Sequence, residues 1–242
     1  MSVTLRNITK HIGGGQHFLY DHLDLHIEKG ERVGILGQPK SGKSTLLRII
    51  CGTEPVYDGQ VERSSTVSWP IPFGEFLVGS STIATNIRFI GRLYGHRSND
   101  YVRRIAALAD ATEFLNEELA KCLPAVRQRL IFALGAGTEF DIYLFDENIV
   151  MGEKTFREKA TQYVQSLVPA HGFVFATSNH KEVSANCDVV FVLDGGRVTR
   201  YEDVAQGVKH FNSLAKTQAA DVAEPRERSE PAPVEIESVL GI

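Results

Sequence analysis

The chain predicts an α/β fold: a parallel sheet with helices on both faces, an antiparallel β edge near the N-terminus, and a helical subdomain inserted before the sheet is completed. Three observations predict it. A glycine-bounded loop, Gly37-Gln38-Pro39-Lys40-Ser41-Gly42-Lys43-Ser44-Thr45, lies between an apolar run and an amphipathic helical pattern. A second apolar run, Ile142-Tyr143-Leu144-Phe145, ends in the adjacent carboxylates Asp146 and Glu147. Beyond it, apolar runs of strand length alternate with helical periodicity, the mark of a parallel sheet covered on both sides.

In chain order, residues 2–8 and 23–27 read as strands, the second alternating Leu23, Leu25, Ile27 against Asp24 and His26. A glycine-rich loop, residues 13–17, separates them. Glu28-Lys29-Gly30 turns the chain into a buried strand over 31–36, and the helix over 44–50 follows the glycine loop. Turns at 52–55 and Asp58-Gly59 lead to an edge strand over 61–69. Helical spacing of Ile87, Ile90, Leu93 and of Val102, Ile105, Leu108 marks residues 85–119, which together with 127–134 make the helical subdomain, about 85–137. Strands are expected at 142–145, 173–176 and 189–193, a helix at 155–167, and a hairpin turn at Asp194-Gly195-Gly196. Residues 1–212 form one domain on this reading. The Ala-, Glu- and Pro-rich stretch 216–234 predicts a disordered tail over 213–242, its apolar end Val239-Leu240-Gly241-Ile242 included.

Composition excludes several classes. A net charge of −4 argues against a dedicated nucleic-acid binder. No apolar run reaches the length of a membrane span, and the first ten residues lack the apolar core of a signal peptide. Cys51, Cys122 and Cys187 form no C-x-x-C pair, so they read as free thiols. Any membrane role is expected to come through a partner.

The glycine loop fits G-x-x-x-x-G-K-[ST], the phosphate-binding P-loop. Its glycines allow successive N–H groups to point inward at an anion, and the helix that follows presents free N–H groups and a positive dipole end to the same place. Lys43 is expected on the outer phosphates of ATP and Ser44 on Mg²⁺. Asp146, at a strand end, is placed to hold Mg²⁺ beside Ser44, and Glu147 to polarise an attacking water.

The passage Thr45-Leu46-Leu47-Arg48-Ile49-Ile50-Cys51-Gly52, then Pro55 and Asp58-Gly59, resembles that of ATP-binding-cassette (ABC) proteins from phosphate loop to edge strand. Ser68-Trp69-Pro70, residues 86–95, Phe156-Arg157-Glu158-Lys159 and Cys187-Asp188-Val189 resemble the ATPase subunits of capsular-polysaccharide exporters. The resemblance covers roughly residues 3–195. It implies a P-loop NTPase core of the ABC type and ATP hydrolysis coupled to transport. It also implies a polytopic membrane permease as partner, a second ATP-binding subunit (identical or not), and a peripheral place on the cytoplasmic face of the inner membrane.

The chain departs from the family pattern at three positions that the resemblance makes functional. Leu123-Pro124-Ala125 falls where a Ser-Gly-rich signature faces the γ-phosphate of the partner subunit. Val78 falls where a glutamine links nucleotide to membrane subunit. Ser178 stands where a switch histidine is expected, and His180, two residues on, takes that role only if the loop is rearranged. The adenine-stacking aromatic has Phe18 and His17 as candidates, with Ile12 at the simplest aligned position. These departures predict ATP binding with slow hydrolysis by a homodimer. Two other classes stay open: a nucleotide-binding regulatory subunit with little turnover, and a cassette protein acting on ribosomes or DNA. The acidic balance and the exporter-like segments count against the last.

Overall fold

The computed structural model describes residues 2–12, 17–147, 153–167 and 170–223. Three strands, β1 (Ser2–Ile12), β2 (His17–Glu28) and β4 (Asp58–Arg63), form an antiparallel sheet in the order β2-β1-β4. The larger sheet contains β3 (Arg32–Gly37), β5 (Val67–Ile71), β6 (Ile142–Asp146), β7 (Gly172–Thr177), β8 (Val189–Asp194) and β9 (Arg197–Tyr201), ordered β5-β6-β7-β3-β8-β9. All neighbours in it are parallel except β9, which returns against β8. That hairpin closes on Gly195 and Gly196, both at positive φ, as tight hairpin turns require.

Strand alternation divides the molecule into two cores. Ile142, Leu144, Val174 and Ala176 pack with α1 (Lys43–Cys51) and with the inner face of the small sheet. Tyr143, Phe145, Phe173 and Phe175 face the other way, toward α5 (Lys154–Leu167), α6 (His180–Asn186) and α7 (Val204–Ala223). The parallel strands are therefore apolar on both faces, which explains their nearly continuous hydrophobic runs. The helical subdomain packs into this second core through α2 (Ile83–Leu93), α3 (Asn99–Leu108) and α4 (Pro124–Gly137). Thr82 caps α2 by accepting from the Thr85 N–H, and Ser98 caps α3 by accepting from the Tyr101 N–H. The start of α4 has no side-chain cap.

Three expectations change. The single edge strand expected over 61–69 is two strands in different sheets, because the polar stretch Ser64-Ser65-Thr66 interrupts it. β4 is largely exposed and pairs with β1, whereas the apolar β5 is buried and pairs with β6. The N-terminal strands are longer than expected, reaching Ile12 and back to His17. Helix α7 crosses the expected boundary at 212 and continues to Ala223, where disorder is predicted from 216. Ala215, Ala219, Ala220 and Ala223, with Lys216 and Gln218 between them, are strong helix formers. The glycines 13–15, Gln16 and residues 224–242 lie outside the described residues.

The start of β6 is fastened by one carboxylate. Asp141 accepts from the Thr66 N–H and hydroxyl at 2.9 Å each and pairs with Lys29 at 2.5 Å. Lys29 foremost, then the Thr66 N–H, hold its carboxyl down at about 2. A depressed carboxylate stabilises the fold above its unfolded pKa, near 4, and loses that contribution as pH falls toward 2. Asp141→Asn is expected to cost about 1–2 kcal/mol at pH 7. Urea titrations from pH 7 to pH 2 should show the difference from wild type shrinking below about pH 4.

Candidate active site

The phosphate loop leaves the C-terminal end of β3, the edge where ligands of open α/β sheets bind. β3 lies between β7 and β8, and β6 lies on the far side of β7. Register sets Asp146 opposite Ala176, and Ala176 in turn opposite Ile35. The carboxylates ending β6 and the loop leaving β3 therefore reach the same rim of the sheet. The Glu147 N–H donates to the Ala176 oxygen at 2.8 Å, which turns the chain there.

Within the loop, the Ser41 N–H donates to the Gln38 oxygen at 3.1 Å. Lys40 and Gly42 both have positive φ, 67° and 105°. Glycine is required at two points for space. A Cβ on Gly37 would lie 2.5 Å from Ser41 Oγ and 3.2 Å from the Leu193 oxygen, and one on Gly42 would lie 2.9 Å from Tyr20 Oη. Lys43 is 5 % exposed. Its ammonium donates to the Gly37 oxygen at 2.9 Å and the Gln38 oxygen at 3.0 Å, and pairs with Glu147 at 3.2 Å. The Ser44 hydroxyl lies beside the Asp146 carboxyl and favours its ionised form. Burial raises the Asp146 carboxyl above its ordinary range; Ser44, Lys43 and Arg48 oppose this and Glu147 adds to it.

A cavity of about 280 Å³ opens beside these groups, lined by Ser44, Arg48, Pro70, Pro72, Phe73, Asp146 and Glu147. The residues present suit a magnesium-bound triphosphate. Ser41 Oγ is a buried hydroxyl with no partner, in the loop that would cradle the phosphates. The two glycines let Ser41 and Tyr20 pack against the loop where a Cβ would clash, which keeps its tight turn. Among the described residues, no cluster of three or more His, Cys, Asp or Glu is arranged to hold a metal. Two oxygen ligands, Ser44 and Asp146, match an ion that takes the rest of its shell from phosphate and water.

Thus the structure brings together the loop from Gly37 to Thr45, Asp146 and Glu147. Neither His180 nor Val78 is among the residues that line the cavity. His180 is the first residue of α6, behind an N-cap at Asn179, and Ser178 is exposed. Val78 is half exposed, on a loop that the buried Asn86 grips. Asn86 Oδ1 accepts from the Val78 N–H at 2.8 Å, and its amide donates to the Val78 and Thr82 oxygens at 3.0 Å each. Leu123, at the start of α4, is 73 % exposed. Phe18 is exposed and its ring lies 4.4 Å from that of His11, which also meets Tyr57 at 4.6 Å. Sequence reasoning missed Arg48 and Asn86. Arg48 follows Ser44 by four residues, one helical turn, so that spacing was the available signal; a lone asparagine in the apolar stripe of α2 was the other.

Comparison with known proteins identifies the family. The family model described as ABC transporter matches residues 20–150, more than half of the chain. The ATP-binding protein BexA of Haemophilus influenzae is 33 % identical over 217 residues, covering 88 % of this chain and 100 % of that protein. The capsule polysaccharide export ATP-binding protein CtrD of Neisseria meningitidis is 33 % identical over 213 residues, covering 88 % and 97 %. Among solved structures, the post-hydrolysis dimer of the ATP-binding cassette MJ0796 bound to ADP and Pi has the same fold. It superposes with a TM-score of 0.67 at 21 % identity, covering 82 % of this chain and 97 % of that one. With the phosphate loop, the strand-end carboxylates and a family match spanning both, this chain belongs to the ABC transporter ATPases.

Proposed function

We propose that the chain is the ATP-hydrolysing subunit of a transporter that exports capsular or another cell-surface polysaccharide. The observation that carries the nucleotide chemistry is the meeting of Lys43, Ser44, Asp146 and Glu147 at one rim of the sheet. The loop amides and Lys43 hold the phosphates of ATP, while Ser44 and Asp146 hold Mg²⁺. When bound, that ion neutralises charge on the phosphate oxygens. Glu147 accepts the proton of the attacking water and orients it. His180, the first residue of α6 after β7, is the candidate switch residue only if the loop around Ser178 rearranges.

The substrate class rests on BexA and CtrD, full-length relatives, the second named for capsule polysaccharide export. Among the described residues no helix is long and apolar enough to cross a membrane. A membrane permease is therefore the proposed route partner, met on the cytoplasmic face of the inner membrane by the helical subdomain and residues 73–80. A second ATP-binding subunit closes the site. One observation favours a regulatory subunit with little turnover: α4 begins at Leu123-Pro124-Ala125 with neither a hydroxyl nor a glycine, and Pro124 has no N–H to donate.

Binding, turnover, co-purification and transport in the cell each test the reading. Lys43→Ala should abolish Mg-ATP binding in equilibrium titrations, and Glu147→Gln should keep binding but lower turnover by about 10²–10⁴-fold; equal rates for Glu147→Gln and wild type would favour the regulatory reading. Replacing Leu123-Pro124-Ala125 by Ser-Ser-Gly should raise homodimer turnover by about a hundredfold or more, the scale of one lost polar group at a transition-state charge. A membrane protein with several spans should co-purify with the wild-type chain, and Lys43→Ala in the cell should leave the polysaccharide inside.

A further inference from the structure

Tyr20 is completely buried on β2, and its hydroxyl donates to the main-chain oxygen of Gly42 at 2.6 Å. None of the chemistry above uses it. The same oxygen accepts the Leu46 N–H at 2.9 Å, in the first turn of α1. A carbonyl oxygen has two lone pairs, so both are engaged. Gly42 is the N-cap of α1, at φ 105° and ψ 0°, and has no side chain with which to fix itself.

In a trans peptide the C=O and the following N–H lie in one plane and point in opposite directions. Whatever fixes the direction of the Gly42 carbonyl also fixes the Lys43 N–H. That N–H is among the free donors at the start of α1, which face the anion. The tyrosine is itself held firmly. The Asp21 N–H donates to the Gly196 oxygen at 3.3 Å, and a Cβ on Gly196 would lie 2.8 Å from the Leu19 oxygen. Residues 19–21 are thus packed between the β8–β9 turn and the phosphate loop, where a Cβ on Gly42 would lie 3.1 Å from Leu19 Cδ1. Burial, chiefly, pushes the Tyr20 hydroxyl well above the usual tyrosine range, so it stays a donor wherever the chain is folded.

We propose that Tyr20 is a positioning residue of the nucleotide site: its hydroxyl, reaching from the N-terminal sheet, holds the Gly42 carbonyl and so aims the Lys43 N–H at the phosphates. The inference rests on the reading of residues 37–45 as the phosphate cradle. It assigns the small sheet a part in phosphate binding through one hydrogen bond.

The test is a titration of the full chain with Mg-ADP and with a nonhydrolysable Mg-ATP analogue. Tyr20→Phe keeps the ring and removes the donor. Both dissociation constants should rise together by about two- to tenfold, the worth of one hydrogen bond, because loop amides meet phosphates common to both nucleotides. KM for ATP should rise with kcat nearly unchanged. Tyr143→Phe is the control: that hydroxyl donates to the Thr138 oxygen at 3.0 Å, away from the loop, so its loss should lower the melting temperature without moving either constant. Equal affinities for Tyr20→Phe and wild type, or equal shifts for the two variants, overturn the proposal. A wild-type chain that binds neither nucleotide removes the cradle itself, and this proposal with it. Should Tyr20→Phe fail to fold, a ring-fluorinated tyrosine at position 20 makes the donor stronger. Tighter binding then supports the proposal and an unchanged constant overturns it.

Discussion

A lysine ammonium buried at the rim of a sheet must be met by acceptors, and much of this structure is arranged to supply them. Lys43 reaches the Gly37 and Gln38 oxygens only because the loop doubles back on itself, which in turn needs glycine at 37 and 42. Its third acceptor, Glu147, comes from a strand more than 100 residues away in sequence. That strand reaches the same rim because β6, β7 and β3 run in parallel register. An unpaired buried cation costs far more than most single contacts contribute. The parallel order of the sheet and the chemistry of the loop are thus two sides of one electrostatic requirement.

The site was more legible in the chain than its surroundings. The glycine loop, Asp146 and Glu147 stand out because their spacing answers to backbone and phosphate geometry, which varies little. The sheet strands were legible because both faces are buried and the runs are apolar throughout. The division of residues 58–71 between two sheets was not, since β4 pairs with β1 through contacts that no local pattern announces. Helix α7 extends past 216 on alanine content that a disorder reading based on few large apolar residues passes over. Arg48 and Asn86 escaped notice for a similar reason: each is a polar residue whose role depends on what tertiary packing sets beside it.

Two of the three departures from the family pattern lie in or beside the helical subdomain; the third, Ser178, follows β7 at the rim of the sheet. The retained groups act within one subunit, at the strand ends. Leu123-Pro124-Ala125 begins a helix in the helical subdomain, and Val78 lies on the loop leading to it. The cavity wall on that side is apolar, built by Pro70, Pro72 and Phe73. The phosphate loop with the strand-end carboxylates, and the loop and helix carrying Val78 and Leu123-Pro124-Ala125, thus lie on separate parts of the chain.

The stitching of residues 78–82 has a mechanical consequence. Asn86 binds that loop to α2, while the Ala120 N–H donates to Gly79 and the Leu119 N–H to Ser81, at 2.9 and 3.0 Å. A segment fastened on two sides cannot flex by itself, so it travels as part of the lobe. The stretch leading into it is held as well, since Phe76 packs against Trp69 of β5 with ring centroids 5.0 Å apart, so the path from sheet to lobe runs through one continuous core.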